Sequence, residues 1–443
     1  MVTSRGCILN EILLEKIKQS VDAQISAKHV PGWVREFKED CFKKLTKSAY
    51  PTADQEVFKF SKIPELDLES LEVEFEQKNV GLQETEKLLA SLGYSHLIDL
   101  IESSSAVVIV TDGSVSEIIN KAGSAVLIQN SFDDLPKSIT ETRLSDEPKF
   151  YDALCGCITK DLVYVSCGKN AEPIGCVTIV NLITASNCIV SPTVIIGANE
   201  NSSIKVVEIF VSQNNNSFVL PVTLLNLGKN SRTSYVRFQL LSYENLFSGL
   251  QLSNHESGAE LNTLQFSIGS SVCRMRIDSN LVGEGSVSEL AAVSHGRYDQ
   301  KLDLRTKQNH VGTRTESNMI SATVLGGCAQ SVTTGLVKMQ NGSKKSKAIQ
   351  SNKNLLVTST AHAESIPNLD ILENDVRCDH ASSVGPINLE QLNFLESRGI
   401  EPTLAKKLII KGFLNSVMDT VRPNALPVQA ITAAKSIIRE LPD

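Results

Sequence analysis

Aromatic residues are scarce in this sequence of 443 residues, and it shows no excess of positive charge. Phe, Trp and Tyr together make up 5% of the chain, with Trp33 as the single tryptophan, whereas hydrophobic residues make up 41%. Few aromatics among abundant Val, Ile, Leu, Asn and Ser suit a regular, repetitive interior better than an irregular enzyme core. The formal net charge of −7 argues against a general nucleic-acid binder, because such proteins carry a basic surface.

Long apolar runs and the common catalytic motifs are also missing. No apolar run approaches the roughly 20 residues that a membrane-spanning helix needs, and the first residues lack the apolar core of a secretory signal. The sequence contains no P-loop, HExxH or GxSxG pattern, and "GEGSVS" at 283–288 fails the dinucleotide-binding pattern. We therefore expect a cytoplasmic protein with no membrane or nucleic-acid partner, whose ATP dependence, if any, comes through another protein.

The ten cysteines are scattered and include no CxxC pair, so they do not form a disulfide framework. Cys155 and Cys157 are the closest pair, and on a β-strand they would share a face and could help hold a soft metal. No second pair follows at the spacing of a zinc site, which favours two small apolar residues packed in a β core.

The chain divides into three zones by residue pattern. Residues 1–104 and 388–443 contain apolar residues at helical spacing, whereas 105–387 contains short β-branched runs separated by Gly, Asn and Ser. In the last zone, "NLEQLNFLESRG" ends in Gly399, a residue suited to the position after a helix.

The helix predicted over 402–421 is apolar on more than one side. We expect its first stripe to pack within the chain, and its second stripe, bordered by lysines, to be a candidate surface for a partner. The first stripe is Ala405, Leu408, Ile409, Phe413 and Val417, and the second is Ile410, Leu414 and Val421.

Two all-β folds fit the middle zone. Many strands with few hairpin turns, and with Asn and Ser at the corners, suggest a solenoid in which each strand stacks on its equivalent one coil along. A sandwich is the commoner fold, and because no strict short repeat is visible the periodicity alone favours it slightly.

A cysteine and a histidine lie two residues apart in "ENDVRCDHASS" at 373–383. On a strand Cys378 and His380 share a face, and Glu373, Asp375 and Asp379 lie nearby in the sequence. A thiolate, an imidazole and carboxylates could bind iron or zinc. From the residues alone, packed or hydrogen-bonded side chains are the more common outcome.

The segment 352–417 resembles the C-terminal core shared by the SufB/SufD family of iron–sulfur cluster assembly scaffolds. The resemblance rests on an ordered series: a Leu-Leu strand, "ESIPNLDI", "DVRCDH", Gly385, "LEQLNFLESRGI" and "LIIKGF". Weaker similarity extends back to about residue 150. A loop with Glu56, and with Phe58 where the family usually has Trp, is similar to the N-terminal region of the D-type subunit.

This resemblance implies a mainly β fold: a right-handed parallel β-helix with helical domains at both ends. The chain looks like the D-type member, because Asn352 and Ala381 stand where B-type subunits have Cys and Glu. Such a subunit is not an enzyme. It pairs with a SufB-like subunit and docks a SufC-like ABC ATPase through its C-terminal helices, which makes Leu408, Ile409, Phe413 and Leu414 the expected docking residues.

The family's D-type histidine at the B–D interface corresponds to His380. The resemblance implies that His380 is a ligand of a nascent iron–sulfur cluster, held transiently and shared with the SufB-like partner. Cys378 is a second candidate metal ligand, with packing as its expected main role. His362, in the neighbouring coil, could line the same face.

Two other functions fit parts of the sequence. A β-helix can host a carbohydrate-active enzyme, although such an enzyme is normally secreted and uses aromatic sugar platforms. A purely structural interaction protein without metal is the third possibility, and an iron and sulfide analysis of the assembled complex distinguishes it from a scaffold.

Overall fold

The computed structural model describes most of the chain. The loop containing Glu56 and Phe58, and Val421 of the second apolar stripe, lie outside the described residues. The structure describes residues 11–26, 30–48, 68–73, 78–130, 149–213, 215–420 and 425–441.

Most strands stack into two parallel sheets that wind together as a solenoid of about eight coils. In chain order the strands are β1 (Ala106–Thr111), β2 (Ser114–Asn120), β3 (Val126–Gln129), β4 (Val163–Cys167), β5 (Val177–Ile183), β6 (Ile189–Val190), β7 (Thr193–Ala198), β8 (Ser203–Ser212), β9 (Phe218–Val219), β10 (Val222–Leu227), β11 (Arg232–Leu240), β12 (Leu246–His255), β13 (Glu260–Ser267), β14 (Val272–Leu281), β15 (Val287–Gly296), β16 (Lys301–His310), β17 (Glu316–Leu325), β18 (Gln330–Met339), β19 (Lys347–Leu356), β20 (His362–Ile371) and β21 (Arg377–Pro386).

Sheet one has the order β2-β1-β5-β8-β11-β13-β15-β17-β19-β21, and sheet two the order β20-β18-β16-β14-β12-β10-β7-β4-β3, with β6 and β9 beside β12. Among the described strands, β1–β2 and β3–β4 are the antiparallel pairs. Each later coil adds one strand to each sheet in unbroken register. The solenoid is therefore confirmed, and the slight preference of the periodicity for a sandwich was wrong.

Asparagine ladders hold the corners of the coils together. Asn170, Asn201 and Asn230 all have a left-handed backbone, with φ between 54° and 59°, a conformation that Asn tolerates better than most residues. The Asn201 amide donates to Asn170 Oδ1 at 3.0 Å, and the Asn230 amide to Asn201 Oδ1 at 3.2 Å. A second ladder, near the ends of strands β12 and β14, joins Asn254 and Asn280 at 3.0 Å. The Asn residues at the corners thus adopt the left-handed turn conformation and hydrogen-bond from one coil to the next.

Helices cover the outer faces of both sheets. Those before and within the β zone are α1 (Glu11–Ile25), α2 (Gly32–Lys47), α3 (Leu82–Ser91), α4 (Ser95–Glu102) and α5 (Lys149–Ile158), and those after it are α6 (Leu389–Ser397), α7 (Pro402–Met418) and α8 (Val428–Glu440); short 3₁₀ turns lie at Leu68–Ser70 and Gly123–Ala125. α1, α2 and α5 pack on sheet two around Leu224 and Leu252. α3, α4, α7 and α8 pack on sheet one around Phe238 and Phe266. The helices of the first zone therefore divide between two faces of the solenoid.

The C-terminal helices begin and end where the sequence indicates. The Asn388 side chain accepts from the backbone N–H groups of Glu390 and Gln391 at the start of α6. Gly399, with φ +84°, follows the end of α6 as predicted. Glu401 caps α7 by accepting from Leu404 N, and Pro402 occupies the first turn. These signals fix the two helices that flank the groove described below.

Two local expectations differ from the structure. Cys155 and Cys157 lie on helix α5, where residues two apart point to nearly opposite sides, so the two buried thiols do not share a face. Burial raises the pKa of Cys157 above its usual range. On α7 the buried side contains Ala405 and Val417 of the first stripe together with Ile410 and Leu414 of the second, whereas Leu408 of the first stripe is 44% exposed. The buried side therefore combines parts of both stripes, and the expected division into a packed stripe and a docking stripe was wrong.

No helix in the described part of the chain combines the length and apolarity needed to cross a bilayer. The longest of these helices, α7, has 17 residues, and its three lysines, Lys406, Lys407 and Lys411, are all at least partly exposed.

Candidate functional site

The last coil of the solenoid, formed by β19, β20 and β21, is open at its end. β21 is the last strand of sheet one and β20 is the last strand of sheet two. In β19 the side chains alternate between buried and accessible, whereas nearly every residue of β21 is exposed. The alternation of buried and accessible side chains is lost in β21 because no further coil among the described residues covers this end of the solenoid. Interior side chains and strand edges are therefore both accessible here.

His380 lies on the inner face of the last coil. In the parallel register it pairs with Gln350 of β19, and Cys378 pairs with Ala348. Gln350 and Ala348 are buried between the sheets, and register partners in a parallel sheet project to the same side. The two-residue spacing thus places Cys378 and His380 on one face, which opens into the mouth of the solenoid. The His380 side chain is exposed there.

Cys378 is mainly a packing residue. Its side chain packs against Val337, Met339 and Ala348, which form a small buried cluster between the two sheets. Burial raises the pKa of the Cys378 thiol, and the neighbouring Asp379 carboxylate raises it further. Because the thiolate is the metal ligand, a raised pKa makes Cys378 a weaker ligand than an ordinary cysteine.

The carboxylates near His380 in the sequence point elsewhere. Glu373 accepts backbone N–H groups of Asp375, Gly342 and Asn374, and these hydrogen bonds lower the pKa of its carboxyl. Asp379 lies on the outer face of β21 and accepts from the Arg377 guanidinium at 3.0 Å. Among the described residues no group of three or more His, Cys, Asp and Glu side chains converges as a metal site. Among these residues His380 therefore has no set of ligating side chains around it that could complete a metal site.

His362 does not line the same face as His380, and that expectation was wrong. It lies on β20 in sheet two, in register with the partly exposed Gln330. The residue that follows it, Ala363, is in register with buried Ser331, so His362 points outward. Its Nε2 is 3.2 Å from Glu364 Oε1 on the same outer face. The sequence spacing could not have shown this, because it does not assign strands to sheets.

Within the part of the chain that the structure describes, β20 and β21 each have one backbone edge that pairs with no other strand. His362 N donates to Ala329 O and Leu372 N to Met339 O, so even-numbered residues of β20 face β18 and odd-numbered residues face away. In β21, Arg377 N donates to Ser346 O, so His380 and the other even-numbered residues direct their backbone groups to the free edge. Pro367 is odd-numbered, and its missing N–H therefore costs the ladder nothing.

The C-terminal helices form an apolar groove. Every residue of α6 is at least partly exposed, including Leu389 and Phe394 at 69% and 57%. A groove of about 410 Å³ lies between α6 and α7, lined by Glu390, Gln391, Phe394, Leu395 and Ile409. Among the expected docking residues Ile409 lines the groove, Leu408 is exposed, Phe413 is partly buried and Leu414 is fully buried against sheet one.

Sequence reasoning on α7 alone missed the contribution of α6. The signal was present in "LEQLNFLES", a helix with four large apolar residues in nine. A helix of that composition normally buries one face, so its exposure indicates a surface that another molecule can cover.

The coil that contains His380 lies within a segment that matches a known protein-family model. The family model described as "SUF system FeS cluster assembly, SufBD core domain" matches residues 181–413, just over half of the chain. This match runs from β5 to α7 and includes β19, β20 and β21.

Individual relatives agree with the family match. The chain is similar to the iron–sulfur cluster assembly protein SufD of Bacillus subtilis, 29% identical over 246 residues, which are 54% of this chain and 54% of the relative. It is 28% identical to SufD of Escherichia coli over 236 residues, 52% and 55% of the two chains. It is 24% identical to the chloroplastic protein ABCI7 of Arabidopsis thaliana over 251 residues, 56% and 53% of the two chains. The matched part spans about half the length of these relatives.

Proposed function

The chain belongs to the SufB/SufD family of the SUF iron–sulfur cluster assembly system, and on that premise we propose that it is a non-catalytic, D-type scaffold subunit. In this role it pairs with a SufB-like subunit through the open end of the solenoid and docks a SufC-like ATPase through its C-terminal helices. His380 is a ligand of the nascent cluster, which is held transiently between this chain and the SufB-like partner in the cytoplasm.

The open last coil is the observation that carries this proposal. An unpaired strand edge is a hazard that proteins normally cover or pair, and here two edges and the inner face of a coil are accessible together. A strand from a partner that adds to β21 would bond to the backbone of His380 itself, because that backbone faces the free edge. Neighbouring strands lie about 4.8 Å apart, so the partner's side chains would stand beside the imidazole.

Such an arrangement supplies what the chain lacks by itself. Iron in these clusters prefers four ligands dominated by soft sulfur, with imidazole as a competent substitute at one position. His380 provides one nitrogen, while Cys378 is packed and has a raised pKa. The remaining ligands would come from the partner subunit and from sulfide.

The groove between α6 and α7 supports the proposed docking of the SufC-like ATPase. It combines an exposed aromatic residue, Phe394, with the aliphatic residues Leu395 and Ile409, and exposed Leu408 lies one residue before Ile409 on α7. Exposed apolar side chains grouped in a groove mark a surface that another protein can bind.

A matched pair of histidine variants tests this function. The three-protein complex is reconstituted anaerobically with iron and a sulfide source, and acid-labile sulfide and iron are measured per complex. We expect His380→Ala to lower both at least tenfold while the complex still forms. The control is His362→Ala, which removes an exposed histidine from the outer face of β20, and it should leave the iron and the sulfide content unchanged. Full cluster loading with His380→Ala would refute the assignment of this residue.

A further inference from the structure

Gln350 lies directly beneath His380 in the stack of inner side chains. The two residues are register partners in the β19–β21 ladder, and adjacent parallel strands are about 4.8 Å apart. Both side chains project into the space between the sheets. A glutamine amide is long enough to reach an imidazole ring on the next strand, so contact between the two side chains requires no movement of the backbone.

The amide of Gln350 occupies space that a glycine in the opposite sheet leaves open. A Cβ atom built on Gly335 of β18 would lie 1.5 Å from Gln350 Nε2 and 2.7 Å from Oε1. Any other residue at position 335 would therefore displace the amide. Glycine inside a strand is unfavourable unless something approaches the backbone closely, and here the approaching group is this amide.

The carbonyl oxygen of Gln350 has an unused hydrogen-bonding capacity. Gln350 is 5% exposed, and its Oε1 is buried with no hydrogen-bond partner among the described residues. The neighbouring inner residue Asn352 differs, because its oxygen accepts from Ser321 at 2.7 Å and its amide donates to Ser365 at 2.9 Å. A buried acceptor without a donor is costly, and the donor that the register brings next to Gln350 is a ring N–H of His380.

We propose that Gln350 is a positioning residue for His380: its Oε1 accepts the N–H of one ring nitrogen and leaves the other nitrogen, with its lone pair, directed at the partner's edge. A neutral imidazole has one donor and one acceptor nitrogen, and the hydrogen bond to the first selects which nitrogen is free. Acceptors of this kind fix the orientation of metal-binding histidines in many sites. The functional part of this inference rests on the proposed role of His380, whereas the contact itself does not.

The contact is tested on the isolated full-length chain by NMR of ¹⁵N-labelled histidine at a pH where the imidazole is neutral. The resonance of His380 is identified by its loss in His380→Ala, and its two ring-nitrogen shifts give the ratio of tautomers. We expect one dominant tautomer in the unchanged chain. Gln350→Met removes the acceptor at nearly equal volume and should move the ratio at least threefold toward that of a histidine-containing peptide measured alongside.

Two further variants distinguish a specific contact between Gln350 and His380 from a nonspecific structural effect of the substitution. Gly335→Ala keeps Gln350 but displaces its amide, and should move the ratio in the same direction; Gln350→Glu keeps an acceptor oxygen and should preserve the dominant tautomer. The matched control is Gln308→Met, since Gln308 is another buried inner glutamine with unpartnered amide atoms but lies on β16, away from His380. An unchanged His380 ratio in a folded Gln350→Met chain, or in folded Gly335→Ala if the former does not fold, overturns the contact.

The functional consequence is read separately in the reconstituted complex. Gln350→Met should slow cluster assembly about threefold to tenfold, Gln350→Glu should restore most of the rate, and Gln308→Met should have no effect. If the tautomer ratio changes but the assembly rate does not, Gln350 orients His380 without a role in assembly, and the positioning proposal fails. If His380→Ala itself has no effect on assembly, the proposed function fails while the tautomer result still stands.

Discussion

At the scale of single residues, the interior of the solenoid contains a fully buried ion pair. Arg237 and Glu208 are fully buried, with Arg237 Nη2 3.1 Å from Glu208 Oε2. Asn181 donates to Glu208 Oε1 at 3.1 Å, and Tyr235 and Thr223 donate to Oε2. Burial raises the pKa of Tyr235 well above its usual range, so it stays a hydrogen-bond donor. The network is satisfied largely by residues of neighbouring coils.

We predict that Arg237→Met destabilises the chain by about 3–5 kcal/mol, because it leaves the buried carboxylate of Glu208 without its cation. Urea unfolding monitored by circular dichroism measures the loss. The control is Arg314→Met, which breaks the exposed pair with Glu284 and should cost less than about 1 kcal/mol. Equal losses in the free energy of unfolding for the two substitutions would show that the buried ion pair stabilises the chain no more than the exposed pair does.

Sequence reasoning at this scale succeeded where spacing determines geometry. Residues two apart on one strand project from the same face, so the common face of Cys378 and His380 follows from their spacing alone. It failed for His362, because its position depends on which sheet β20 joins. It also could not find Gln350, whose relation to His380 is set by a register spanning 30 residues. Gly335 within "SVTTGLVKM" was the available local signal of a close approach.

At the scale of elements, the free edge of β20 predicts a separable effect on partner binding. Leu369 directs its backbone N–H to that edge, whereas the ladder to β18 uses the even-numbered residues. Leu369→Pro should therefore weaken association with the SufB-like subunit at least tenfold while the chain remains folded, because it removes an edge donor but no ladder hydrogen bond. Size-exclusion chromatography of the mixed subunits measures association.

Leu369→Ala is the matched control, since it shortens the same side chain but keeps the N–H, and it should bind the partner much more strongly than Leu369→Pro. Equal binding by Leu369→Pro and the unchanged chain, with a normal melting transition, would exclude β20 as the pairing edge.

The groove between α6 and α7 predicts a second separable surface. Phe394→Asp should abolish capture of the SufC-like ATPase in a pull-down, because it places a charge in the lining of the groove, and truncating one such anchor typically costs about 2 kcal/mol. The fold should be unaffected, since Phe394 is 57% exposed. Ile174→Asp, at a 95% exposed apolar residue in a loop, should retain the ATPase fully. Retention by Phe394→Asp would move the docking surface away from this groove.

Removal of the whole C-terminal zone is a poor test of docking for a physical reason. Ile410, Leu414 and Val417 of α7 pack on sheet one together with residues of α8. Deleting residues 388–443 would expose this face of the solenoid, and the chain would lose stability as well as a docking surface. The amphipathic pattern of α7 predicted a wide apolar surface correctly, but only the packed structure shows which part of it faces inward.

At the scale of the whole molecule, buried histidines make stability depend on pH. Burial lowers the pKa of His255 to about 3, and those of His295 and His310 to about 4. In the unfolded chain these groups titrate near 6.5, so below that pH the unfolded state binds more protons than the native state. Their contribution is complete above about pH 6.5 and is lost as the pH falls toward 4.

We therefore predict that the free energy of unfolding decreases between pH 6.5 and 4.5, by up to about 1.4 kcal/mol per pH unit for each of the three histidines. Urea titrations at several pH values measure this slope. His310→Asn should reduce the slope by about one histidine's share, although it loses the hydrogen bonds to Thr315 and Ser317. A slope unaffected by His310→Asn would contradict the burial argument.

The overall architecture was predictable only in part from the residues themselves. Helical zones at both ends and a β zone between them followed from periodicity, and the helix α5 inside the β zone did not. The choice between sandwich and solenoid came from the family resemblance. Periodicity could not make it because coil lengths vary and the inner faces are polar as often as apolar, as Gln265, Ser267 and Gln308 illustrate. A residue pattern of this kind shows where the strands are, but it does not show which strands pair with each other in a sheet.

The central claim is that the His380 imidazole binds iron in the cluster formed at the open end of the solenoid. Pulsed EPR tests it most directly, on a reconstituted and reduced complex in which this chain alone carries ¹⁵N-histidine. The account predicts a ¹⁵N hyperfine coupling of a directly bound imidazole nitrogen, which persists in His362→Ala and disappears in His380→Ala. A cluster that forms at normal yield without any ¹⁵N coupling, or with a coupling that survives His380→Ala, would contradict it.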